Sequence, residues 1–319
     1  MLPTRRLAAT GLLTLAGAGF LPMVAARAQT PGVETPDAKT PDIPDEPATQ
    51  VDTGRSRFEH MLAPVTINGQ GPFNFLLDTG ANISCVSHRL ADQLGLEAGP
   101  PARVHTVVGA QMRPSVVIRQ LQIGSRNRRA VSAPSLPING SDADGVLGVD
   151  WLKGQRLVLG FKTRSLEITT SRHETSAEGR IVVPARRRMG QLTIVDADLS
   201  GRRVSAMVDS GSQVTMCNAP LRRLVKEIEG RNGGVKENRE VKLESVAGEM
   251  FTGELMYLPF MRLGGLHLGN VPTVYADVHV FDIWGLKDTP ALLLGIDLLT
   301  QFESVALDFG KSQVRFDIA

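Results

Sequence analysis

Residues 73–84 read FNFLLDTGANIS, an apolar strand pattern that runs straight into Asp78 and turns at Gly80. An ionised carboxylate at the end of a buried strand is costly unless it is hydrogen-bonded or paired, so the stretch asks for a partner. The tripeptide alone decides nothing, because Asp52-Thr53-Gly54 is also DTG. Polar, proline-containing chain precedes that copy and Arg55 follows it, which predicts a solvated turn.

The partner lies further on. Residues 204–215, VSAMVDSGSQVT, repeat the pattern: an apolar strand, Asp209, a hydroxyl residue, Gly211, a small residue, a polar one, a β-branched one and a hydroxyl. Further landmarks fall into the same register. DGVLGVDWL (144–152) matches PALLLGIDLL (290–299), and LVLGFKTRSLEI (157–168) matches VALDFGKSQVRF (305–316). Between them each half carries a hairpin pattern with a small-residue tip, HTVVGAQM (105–112) and ESVAGEMF (244–251). Short helical patterns at 87–96 and 219–229 follow the two turns. Matches in one order along the chain describe a duplication, with lobes at 58–170 and 180–319 joined by the polar stretch 171–179.

The features DTGA at 78–81, DSGS at 209–212, VLG at 146–148 and LLG at 293–295 resemble those of retropepsin-like and pepsin-like aspartic proteases. The resemblance implies an all-β bilobal acid-protease fold, two similar β-barrel lobes related by a pseudo-two-fold axis with the active site between them. It implies an aspartic endopeptidase in which Asp78 and Asp209 activate one water by general acid/base chemistry. A catalytically silent peptide- or protein-binding module of the same fold is the other reading. By the same resemblance Thr79 and Ser210 hydrogen-bond across the lobe boundary. Gly80 and Gly211 let the backbone turn beneath the acids, Gly148 and Gly295 let a strand pass behind them, and Ala81 and Ser212 complete the turns. Val108, Gly109 and Ala110 in one half, with Ala247 and Gly248 in the other, are flap residues over an extended peptide or protein substrate. A Ser212 hydroxyl donating to Asp209 would make Asp209 the readier anion and Asp78 the proton holder. Asp150 and Asp297, matched within GVDWL and GIDLL, are expected to cap short helices. Cys85 and Cys217 stand in apolar contexts in different lobes and are expected as buried free thiols.

Composition excludes other classes. The 319 residues carry 32 glycines and 19 prolines against two tryptophans and two tyrosines, which suits many short strands. The six histidines show no ligand spacing and there is no CxxC, so neither metal nor cofactor is expected. No serine has the nucleophile-elbow glycines, and Gly69-Gln70-Gly71 lacks a dinucleotide loop's third glycine.

At the N-terminus, Arg5-Arg6, an apolar stretch and Ala26-Arg27-Ala28 form an export signal over 1–28. Its removal takes three arginines and no acid from the net charge of +2, leaving −1, so no nucleic-acid partner is expected. The expected location is periplasmic or secreted. A retained segment would instead make an inner-membrane anchor, the one route to a membrane. The Pro- and acid-rich residues 29–57 read as a disordered linker, also open to a propeptide role, and the folded part, expected to be a monomer, starts near Phe58.

Overall fold

The computed structural model describes residues 14–15, 48–55, 60–138, 142–152, 154–188, 190–231 and 239–318. The expected export signal lies outside them except for Thr14–Leu15, which pair with Val104 and His105. Most of the linker 29–57 also falls outside. No described helix is long and apolar enough to cross a membrane.

The described residues form two closed six-stranded β-barrels. In the first, strand Met61–Ile67 pairs with Gln70–Leu77 on one side and with Ala110–Ile123 on the other, closing the sheet. In the second, Gln191–Leu199 does the same with Arg202–Val208 and Met250–Leu263. The short strand Gly145–Leu147 runs parallel to Phe75–Leu77 and antiparallel to Cys85–Val86. Ala291–Leu294 repeats this beside Ser205–Val208 and Met216–Cys217. These central strands are buried on both faces and are correspondingly continuous runs of apolar residues. Helices His88–Gln93 and Ala219–Arg231 follow, the first capped by Ser87 Oγ accepting from Leu90 N at 3.1 Å.

The lobes share a sheet that the sequence pattern does not reveal. Hairpin Gln155–Gly160/Ser165–Thr170 of the first half pairs directly with hairpin Ser304–Asp308/Gln313–Asp317 of the second, Val158 opposite Ala306. Arg180–Arg188 adds to one edge, Ile181 opposite Phe316. Thr49–Asp52 adds to the other, Val51 opposite Leu166. Ordered chain therefore begins at least nine residues before Phe58, and the linker reading fails for 49–52. Thr49 and Val51 alternate inward with exposed Gln50 and Asp52, enough to seat an edge strand on a ready sheet. Asp52-Thr53-Gly54 stands at the end of that strand, with Thr53 buried, rather than in a solvated turn.

Under this sheet, Glu174 from the interlobe stretch accepts from Arg156 of one lobe at 3.1 Å and Arg315 of the other at 3.0 Å. Burial alone would raise the Glu174 carboxyl, yet Arg156, Arg315 and Arg172 together hold it below its ordinary 4.5. A carboxylate depressed on folding stabilises above its unfolded pKa, and that contribution fades as pH falls through the folded value. Glu174→Gln is therefore expected to cost about 1–3 kcal/mol at neutral pH. In urea titrations the deficit should shrink below about pH 4; a deficit independent of pH would contradict the ionic tie.

Candidate active site

Both DxG turns are positioned by the same local device. The Asp78 amide donates to Leu147 O and the Asp209 amide to Leu294 O, each at 3.0 Å, which fixes where each strand ends. Gly148 and Gly295 pass behind the turns. A Cβ on Gly148 would stand 2.8 Å from Ala81 O, and one on Gly295 would stand 2.5 Å from Val214 O. Neither turn leaves room for a side chain there.

The turns meet across the lobe boundary. Thr79 Oγ1 donates to Val208 O at 2.9 Å and accepts from Ser210 N at 2.9 Å. Ser210 Oγ donates to Leu77 O at 2.8 Å and accepts from Thr79 N at 3.1 Å. Each hydroxyl thus reaches the other lobe's backbone, and all four bonds are buried. Asp78 Oδ1 accepts from Gly80 N at 2.8 Å and Ala81 N at 2.9 Å. Asp209 Oδ1 accepts from Gly211 N at 2.8 Å, while Ser212 N donates to the Asp209 main-chain oxygen at 3.4 Å. The carboxyl groups interact with each other, while Asp78 Oδ2 and Asp209 Oδ2 receive no donor from the rest of the protein.

Electrostatics makes the pair unequal. Burial raises Asp78 to about 6, opposed by hydrogen bonds from Asp209, Gly80 and Ala81. Burial also raises Asp209, further lifted by the Asp78 charge. Asp78 accepts two turn amides and Asp209 one, which favours the charge on Asp78 rather than, as expected from Ser212, on Asp209. The reason is geometric: Ser212 Oγ donates to Val214 O at 2.8 Å, not to Asp209.

Asp150 and Asp297 differ from their expected role as well. Asp150 Oδ1 accepts from Ser84 Oγ at 2.8 Å, and Asp297 Oδ1 from Thr215 Oγ1 at 2.8 Å. The same hydroxyls accept from Gly148 N and Gly295 N, each at 3.1 Å. These carboxyls brace the segment after each DxG turn, although Asp297 also takes the Leu298 amide. Ser84 and Thr215 close the repeated twelve-residue pattern, so their matching positions were the available signal. Cys85 and Cys217 are free and buried. Among the described residues no group of three or more His, Cys, Asp or Glu is placed to hold a metal.

The hairpin tips are Thr106–Gly109 and Ser245–Gly248, and each reaches into the other lobe. Val107 is fully buried among second-lobe residues including Met207, Phe281 and Leu293. Val246 is buried among first-lobe residues including Leu62, Leu76 and Val146. The inserting residues are thus Val107 and Val246. Val108 points outward at 48% exposure, Gly109 and Ala110 are half-buried, Ala247 is buried, and Gly248 turns with φ 77°. Glu249 joins the two tips, accepting from Thr106 Oγ1 at 2.7 Å, Ser245 Oγ at 3.0 Å and Gln111 Nε2 at 3.1 Å. His105 and His279 stack with Nδ1 and Nε2 3.0 Å apart, tying the first hairpin's base to the second lobe. Glu249→Ala is expected to speed amide exchange at residues 105–110 by about tenfold or more. Unchanged exchange there would show that the buried valines alone hold the tips.

The geometry divides the chain into two equivalent half-sites, and family comparisons divide it the same way. A family model described as gag-polyprotein putative aspartyl protease matches residues 63–154, and one described as aspartyl protease matches residues 195–298. Of the curated proteins compared, none matches the chain. The first match contains Asp78 and Gly148 and the second Asp209 and Gly295, one DxG turn with its supporting glycine in each barrel. With tandem matches of this kind on paired β-barrels, the chain belongs to the retropepsin-like aspartic proteases.

Proposed function

We propose that the protein is an endopeptidase in which Asp78 and Asp209 act as one general acid/base pair on a water molecule. The observation that carries this reading is the interlocked pair itself. Two buried, mutually interacting carboxyls are fixed by four hydrogen bonds across the lobe boundary, and each keeps one oxygen without a donor from the rest of the protein. Like charges this close share a proton; aspartic proteases are a standard instance of that effect.

Ionised Asp78 takes a proton from the water as its oxygen attacks the peptide carbonyl. Protonated Asp209 donates to the carbonyl oxygen, giving a neutral tetrahedral diol. Collapse of the diol returns a proton to the leaving nitrogen, and no covalent enzyme intermediate forms. The hairpin tips, which reach into the opposite lobes, must lift to admit an extended peptide.

The rate should rise as Asp78 ionises and fall as Asp209 loses its proton. The acidic limb then lies above the ordinary aspartate value of 3.8. The test is cleavage of a denatured peptide library from acidic to neutral pH, with and without pepstatin. Pepstatin-sensitive cleavage across such a window supports the enzyme. Peptide binding without turnover at any pH identifies the silent module instead. The leader pattern of 1–28 supports export as the setting, and mass spectrometry of the mature N-terminus in a secreting host tests it.

A further inference from the structure

Gln191 opens strand Gln191–Leu199 in the second lobe, yet its side chain crosses to the first. It is fully buried, and Nε2 donates to Gly80 O at 2.9 Å. That carbonyl belongs to the same peptide unit as the Ala81 N–H, which donates to Asp78 Oδ1 at 2.9 Å. The amide of Gln191, the Gly80–Ala81 peptide and the Asp78 carboxylate therefore form a hydrogen-bonded chain. A donor on a peptide oxygen polarises that peptide and strengthens its N–H as a donor. Because a carbonyl only accepts, the Gln191 nitrogen must face Gly80, which fixes the amide orientation and leaves Oε1 without a partner. A buried amide with an orphan oxygen is a poor stabiliser beside an apolar residue of its shape.

The duplication provides an internal comparison. Leu62 pairs with Leu76, two residues before Asp78, and Thr193 pairs with Met207, two residues before Asp209. Counting back two residues in each lobe, His60, just before strand Met61–Ile67, stands where Gln191 stands in the second. His60 is buried, and burial lowers its pKa to about 4, so it is neutral above that pH. The lobes thus place chemically different side chains at equivalent posts, although the turns they flank are nearly identical.

We infer that Gln191 is a positioning residue that acts through the Gly80–Ala81 peptide to hold Asp78 as the ionised member of the pair. The inference rests on the general acid/base reading above and deepens it by naming what makes the two acids unequal. Asp209 and the Cys85 thiol act on Asp78 electrostatically, and burial keeps that thiol neutral. Neither accounts for which acid ionises first, since the Asp–Asp interaction is mutual and the thiol carries no charge.

Gln191→Met keeps the volume and removes the donor. In the full chain, kcat should fall about tenfold with KM within about twofold. The acidic limb should move up by about 0.3–0.5 pH unit. Gln191→Glu can donate to Gly80 O only while protonated. It should come closest to wild type at the acidic end and fall further behind as the introduced carboxyl ionises. Carboxyl 13C titration of Asp78 by NMR, in wild type and Gln191→Met, reads the same shift without requiring turnover. If wild type fails to cleave but the Asp78 titration still moves, the enzymatic reading falls and the positioning role stands. If the Asp78 titration is the same in both, or Gln191→Met lowers only Tm, the inference is overturned.

Discussion

Asp78→Asn and Asp209→Asn should each lower kcat by about 10³- to 10⁴-fold while leaving the fold intact. Each acid supplies a proton transfer that an amide cannot make. Neither substitution changes volume, and Asn retains an oxygen able to accept the turn amides from Gly80 and Ala81 or from Gly211. Both acids are buried and both are raised by that burial, with the charge of one bearing on the other. Removing one carboxyl relieves that repulsion, so Tm should hold or rise by about 2 °C. Loss of activity with a collapsed Tm would mean instead that the pair is structural. Calorimetry beside peptide turnover separates the two.

The second large effect is expected from Gly211→Ala. A Cβ at Gly211 would lie 2.2 Å from Asp78 Cγ and 2.5 Å from both of its oxygens. That contact crosses the lobe boundary, so the methyl group would push on the opposing acid rather than on its own turn. Asp78 is held by Gly80 N and Ala81 N and cannot swing aside without losing them. We expect kcat to fall about 10²-fold, with a lower Tm because the turn itself must shift. Gly230, exposed on helix Ala219–Arg231, makes a useful control, since a Cβ there meets nothing within 4 Å. If Gly211→Ala cleaves peptides at the wild-type rate, the carboxyl is not seated on that glycine.

Much of this site was legible in the sequence because it is local and duplicated. An apolar strand ending in Asp, a hydroxyl residue and Gly occurs in each half, and a glycine that must pass behind the turn follows at a matching distance. Each of those features satisfies a steric or hydrogen-bonding demand of a few neighbouring residues. What escaped depends on which surfaces the fold brings together. Thr49–Asp52 looked like linker because an edge strand needs little apolar content once a sheet exists to receive it. Val107 and Val108 are adjacent and chemically identical, and only the twist of the hairpin decides that Val107 turns into the other lobe. The Ser212 hydroxyl was expected on Asp209, and the local backbone offers it Val214 O instead. Gln191 reads as the first polar residue of a strand, and its spacing from Asp209 gains meaning only when set beside that of His60 from Asp78.

The central claim is that the two lobes contribute to one site, and a double-mutant comparison tests it most directly. Turnover of one peptide would be measured for wild type, Asp78→Asn, Asp209→Asn and the double variant. If both acids serve a single proton-transfer pair, the double variant should be no slower than the slower single, because either loss disables the same step. Losses that multiply in the double variant, or a single variant that keeps the wild-type rate, would contradict a shared dyad.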